Sequence, residues 1–110
     1  MVQQISGGVC APKGFRANGV HCGIRKNKVK KDLALIVSDA RCAAACVYTT
    51  NLVKGAPILV TQKNVADGYA QAVIVNSGNA NTCNANRVEI AEAMCALVKQ
   101  HTGIAAGGRL

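Results

Sequence analysis

Short unbroken aliphatic runs separated by polar, glycine-containing stretches fill most of the chain, and only near the end does the apolar spacing lengthen. Leu33-Ala34-Leu35-Ile36-Val37, closed by Ser38-Asp39, is too short for a typical helix. Its Ile and Val content predicts a strand buried on both faces. Ile58-Leu59-Val60 reads as a second strand, with Pro57 tolerated at its first position. Ala72-Val73-Ile74-Val75 is the third run and reads like the first. From Asn86 the period changes. Asn86 and Glu89 have capping-box spacing, each side chain able to satisfy a backbone donor at a helix start. Ile90, Met94, Leu97 and Val98 then recur at i, i+4, i+7 and i+8, the stripe of an amphipathic helix that Gly103 should stop.

The remaining segments are read from turn and propensity signals. Between Gly7 and Gly23, Val9, Ala11 and Phe15 could share one side of a bent extended strand. Ile24 to Lys31 reads as a polar, basic turn. In Arg41 to Tyr48 the alanines favour helix, but Val47-Tyr48-Thr49-Thr50 favours a strand, taken to start near Ala44. Asn51 to Gly55 is a connector. Asn64 to Gly68 fits one helical turn ended by a left-handed Gly68. Residues 104–110 carry no pattern and are read as a linker or cut end.

Composition adds size and charge to this picture. With 110 residues, half of them apolar, a core is expected. The length is at or below the roughly 100–150 residues of a common domain. Phe15, Tyr48 and Tyr69 are the chain's aromatics, so that core is built from small aliphatic side chains. A domain of this length hides only about two-thirds of its unfolded surface. The expectation is a single partial domain, residues 1–110, belonging to a larger folded unit. Net charge is +8, with Arg25, Lys26, Lys28, Lys30 and Lys31 clustered. Such a cluster suits either a solvated turn between strands or a small basic nucleic-acid-binding module using Arg25–Lys31. It has no interleaved aromatic to stack a base.

No run of eighteen apolar residues suggests a transmembrane helix, and the N-terminus lacks the basic start and apolar stretch of a secretory signal, so the expected location is cytoplasmic. In a reducing compartment the six cysteines are read as structural thiols. They show no Cys-x-x-Cys pair and no zinc spacing with His21 or His101, so no metal or cofactor is expected. On a strand, adjacent His21 and Cys22 would point to opposite faces, which argues against a thiol–imidazole couple. Glu89 and Glu92 read as a cap and an exposed face.

The stretch with most chemical promise is Val73 to Asn81, a strand running into amide and hydroxyl residues before a helix. Strand ends that meet helix starts collect unpaired backbone donors and commonly hold ligands. Asn76, Ser77, Asn79 and Asn81 are the candidate substrate-binding residues, able to grip a carboxylate or orient an oxyanion. The same residues also form local turns with their own backbone.

Several segments together resemble one family. They are Gly7-Gly8-Val9-Cys10-Ala11-Pro12-Lys13-Gly14-Phe15-Arg16-Ala17-Asn18-Gly19-Val20; Asp32-Leu33-Ala34-Leu35-Ile36-Val37-Ser38-Asp39; Val47-Tyr48-Thr49-Thr50-Asn51 with Val53-Lys54 and Ala56-Pro57; and Ala72-Val73-Ile74-Val75-Asn76-Ser77-Gly78-Asn79-Ala80-Asn81. In this order and spacing, from about residue 7 to 104, they resemble the ornithine acetyltransferases, or bifunctional glutamate N-acetyltransferases. The resemblance implies an α/β (α+β) fold, in which a sheet of aliphatic strands packed by helices is part of the layered sandwich of the N-terminal-nucleophile aminopeptidase-like superfamily.

It also implies an enzyme of arginine biosynthesis that moves acetyl from N-acetylornithine to glutamate, some members also using acetyl-coenzyme A. Family precursors cut themselves before a threonine, which becomes the nucleophile of a β subunit and remains with the α subunit, commonly as α2β2. The implied partners are therefore the rest of the α subunit and the β subunit. The family's Ser-Thr-Gly-Val-Ile-Gly, Lys-Gly-Ser-Gly-Met and Ala-Thr-Met-Leu segments are missing here. Thr102-Gly103-Ile104 falls at the helix end and does not replace the oxyanion pair, and Cys10 stands where the family usually has Thr. No catalytic residue is carried over. The expectation is an N-terminal part of the α subunit that is inactive alone.

Overall fold

The computed structural model describes residues 1–26, 29–78 and 87–105. Among these, a 3-10 turn at Gly8–Cys10 leads into strand β1, Phe15–Val20, and strand β2, Leu33–Ala43. Helix α1, Ala56–Asn64, strand β3, Tyr69–Asn76, and helix α2, Arg87–Thr102, follow. The three strands form an antiparallel sheet in the order β1-β2-β3. This is an α+β arrangement, as expected, with both long aliphatic runs in neighbouring strands.

Register follows from those runs. Val20 pairs with Leu33 and Phe15 with Ser38, while Leu33 pairs with Asn76 and Val37 with Ala72. Pairing resumes at Cys42 opposite Ala70, so β2 advances five residues while β3 moves two. The three extra residues make a bulge. Ser38, buried at its start, accepts the Ala40 N–H through Oγ at 3.2 Å and the Gln71 side-chain amide through its carbonyl at 3.1 Å. Beyond the bulge, Arg41 lies 4.1 Å over the Tyr69 ring and pairs with Asp67 at 2.9 Å. Stacking and pairing close the far end of the β2–β3 ladder.

Cross-strand partners share a face. Leu33, Leu35 and Val37 lie with Asn76, Ile74 and Ala72, and this face looks toward the helices across a groove of about 560 Å³. On the other face Ala34 and Ile36 lie with Val75 and Val73, which are 45% and 51% exposed. Among the described residues the buried apolar ones are Ala56 and Val60, both on α1. The strands are thus half-buried rather than buried on both faces, because the described residues supply one covering layer.

Four expectations are corrected. Pro57-Ile58-Leu59-Val60 is helical, because Pro57 sits in the first turn, where its missing N–H costs nothing. Asn64 therefore ends α1, and only Val65 to Gly68 form the following turn, with Gly68 left-handed as expected (φ 81°). Residues 44–50 form no strand, since the β2–β3 ladder ends at Ala43 opposite Tyr69, and Ala44 donates to the Gly68 carbonyl instead. Val9 and Ala11 lie in and beside the 3-10 turn, not on an extended strand.

On α2 the partly covered stripe is Val88, Ala91, Met94, Cys95 and Val98, leaving Ile90 and Leu97 each 53% exposed. The helix ends before Gly103, as expected, while the Asn86 part of the capping box lies outside the described residues.

Candidate functional site

The strand-end segment and the basic turn meet at one corner of the sheet. Val20 ends β1, Asp32 immediately precedes β2, and Asn76 ends β3, so antiparallel pairing brings these three chain positions together. At their junction Asp32 is buried, and its acceptors are filled by backbone. Oδ1 accepts the Cys22 N–H at 2.7 Å and Oδ2 accepts the Arg25 N–H at 2.9 Å. The Asp32 N–H donates to Val20 at 2.9 Å, and its carbonyl accepts the Ser77 N–H at 2.8 Å. His21 Nδ1 lies 3.4 Å from Oδ2 and donates to the Lys30 carbonyl at 3.0 Å.

These donors fix the charge at the corner. The Arg25 N–H, ahead of the Cys22 donors and nearby His21, holds the Asp32 carboxyl well below its ordinary range, although burial opposes the shift. A buried carboxylate supplied with N–H groups stays ionised and organises the loop around it. The same carboxylate, chiefly through a hydrogen bond from the thiol, pushes the Cys22 thiol up. Cys22 is thereby kept protonated and is a poor nucleophile.

Arg25 turns inward. Its Nε donates to Ser77 Oγ at 3.1 Å, and Nη2 donates to the same oxygen. Gly78 follows with φ 95°, and a Cβ there would lie 2.6 Å from Arg25 Cγ. Glycine therefore serves both the backbone conformation and the passage of the Arg25 stem.

Of the four candidate binding residues, Asn76 and Ser77 are seen. Ser77 is at the corner, half-buried, whereas Asn76 sits on the helix-facing side beside Ala56, Ile90 and Met94. Asn79 and Asn81 lie outside the described residues. Sequence reasoning missed Asp32 and Arg25 as parts of the site. An acidic residue directly before an aliphatic run, facing a basic turn, is the signal that was available.

Arg25, Lys26, Lys30 and Lys31 lie in the β1–β2 connection, as a turn between strands would, while Lys28 lies outside the described residues. With Arg25 engaged by Ser77, a nucleic-acid surface there would rely on lysines alone. His21 and Cys22 lie past the end of β1, so strand alternation does not apply to them and both reach Asp32. Cys10, Cys22, Cys42, Cys46 and Cys95 are free thiols, of which Cys10, Cys22 and Cys46 are exposed rather than packed as small hydrophobes. Burial pushes the Cys95 thiol up. Among the described residues no group of three or more His, Cys, Asp or Glu could hold a metal ion, and no helix is long and apolar enough to cross a membrane.

A sequence profile of the ArgJ family matches residues 16–109. The arginine biosynthesis bifunctional protein ArgJ of Symbiobacterium thermophilum is 46% identical over 105 residues, covering 94% of this chain and 26% of that protein. The ArgJ protein of Geobacter sulfurreducens is 48% identical over 92 residues, covering 83% and 23%. The crystal structure of ArgJ from Bacillus halodurans superposes with a TM-score of 0.79 at 42% identity, covering 86% of this chain and 49% of that one. Ornithine acetyltransferase from Mycobacterium tuberculosis, solved with ornithine, gives 0.80 at 40% identity, covering 91% and 55%. This chain spans about a quarter of the length of the curated relatives it matches.

Proposed function

This chain belongs to the ArgJ family, and from that premise we propose that it is the N-terminal part of a cytoplasmic acetyltransferase of arginine biosynthesis. The observation that carries the reading is the Ser77-Gly78 strand end, held against the buried Asp32 residue and the Arg25 guanidinium in a chain of matching fold and sequence. The acetyl group passes from the α-amine of N-acetylornithine to a threonine hydroxyl, releasing ornithine, and then to the amine of glutamate. That threonine, made N-terminal by self-cleavage, lies on polypeptide outside this chain, and its own α-amino group relays the proton.

This chain contributes one wall of the site. Asn76, Ser77, Asn79 and Asn81 supply neutral donors for the oxygens of an amino-acid substrate, and the net charge of +8 favours approach of anions such as glutamate. The rest of the α subunit and the β subunit are its partners, in a heterotetramer. The exposed aliphatic pair Val73 and Val75 and the apolar groove are the surfaces such polypeptide would cover.

Reconstitution tests this. Transfer of labelled acetyl from N-acetylornithine to glutamate is expected when this chain is combined with the remaining polypeptide of the Symbiobacterium relative, and none from the chain by itself. Turnover by the isolated chain, or none in the assembled protein, would overturn the proposal.

A further inference from the structure

Arg25, Asp32 and Ser77 form a closed ring of contacts. The Asp32 carboxylate holds the Arg25 N–H, the Arg25 side chain holds the Ser77 hydroxyl, and the Ser77 N–H returns to the Asp32 carbonyl. Two donors of one guanidinium converge on a single hydroxyl oxygen. Arginine can only donate, so the Ser77 oxygen is restricted to accepting on that side and its own proton points away. Accepting from a cation also strengthens the hydroxyl as a donor. Independently, Gly78 leaves space for the Arg25 stem that any larger residue would fill.

We propose that Arg25 is a positioning residue that commits the Ser77 hydroxyl to donating a hydrogen bond to the carboxylate of the amino-acid substrate. This rests on the acetyltransferase reading above. A carboxylate suits the place better than a neutral carbonyl because the guanidinium stands directly behind the donor. The arrangement makes Ser77 a selective element: it favours an acceptor and offers little to a substrate group that can only donate.

The test uses the assembled enzyme, with Ser77→Ala, Arg25→Ala, Arg25→Lys, the double Arg25→Ala/Ser77→Ala variant, and Lys26→Ala as a surface control. Ser77→Ala and Arg25→Ala should each raise KM for N-acetylornithine or glutamate about tenfold, with kcat within about twofold, since a hydrogen bond to a charged group is lost. The double variant should be no worse than Ser77→Ala, because the two residues act as one unit. Arg25→Lys retains charge and stem and should fall between wild type and Arg25→Ala.

Unchanged KM in Ser77→Ala, additive effects in the double variant, or losses that track melting temperature in every variant including Arg25→Lys would overturn the inference. An inactive wild-type assembly would instead sink the acetyltransferase reading itself, which separates the two failures.

Discussion

The Asp32 corner and the space between sheet and helices solve opposite problems. At the corner, polar groups from three separate chain positions find partners within 2.7–3.1 Å, and no described buried side-chain polar atom is left unsatisfied. Across the sheet, α2 meets α1 through an exposed Lys63–Glu92 pair at 3.5 Å and an Asn64–Cys95 contact at 3.7 Å, above a groove of about 560 Å³. Directional bonds can set geometry inside a small piece of chain, whereas apolar packing needs enough surface to close upon itself. The candidate site therefore lies where the chain completes itself, and the open apolar surfaces lie where it does not.

The comparison can be broken from either side. The largest effect is expected from Asp32→Asn, which replaces a charged acceptor of two backbone N–H groups with an amide; denaturant unfolding of the assembled protein should show the greatest loss in the series. Because the folded carboxyl is held below its ordinary value of 3.8, Asp32 contributes stability that is fully present above that pH and is lost as pH falls below it. Melting temperatures between pH 7 and pH 2.5 should accordingly drop less steeply in Asp32→Asn than in wild type.

Val60→Ala probes the other region. It removes two buried carbons and should cost about 2 kcal/mol by the same unfolding measurement, without altering KM. Gly78→Ala should cost about 1–2 kcal/mol for a left-handed backbone and, unlike Val60→Ala, should raise KM by displacing Arg25 from Ser77. Lys63→Ala should change stability by less than about 0.5 kcal/mol, since both partners are exposed.

What could be read from the sequence follows the range of the forces involved. Leu33–Val37 and Ala72–Val75 were legible as strands because an aliphatic run of that length has few other uses. The later helix was legible from its period, though not the side it presents, because Ile90 and Leu97 belong to a stripe that the described layer only grazes. Pro57 to Val60 misled because three apolar residues fit either state. The deciding clue was Ala56 and Val60, four apart and both buried. Val47 to Thr50 has the propensity of a strand but no strand partner among the described residues, and propensity yields to that lack. Ser77 was singled out from its neighbours in sequence, whereas Asp32 and Arg25 gain their role only through pairing across the sheet.

The Arg25–Ser77 bond joins positions 52 residues apart. A nascent polypeptide emerging from the ribosome could zip the first hairpin early, but the latch has nothing to grasp until the third strand has been made. Long-range closure of this kind delays folding more than it weakens the finished product. Arg25 should therefore be among the last parts of the hairpin to settle, and the corner around Ser77 acquires its shape only after the sheet behind it is complete.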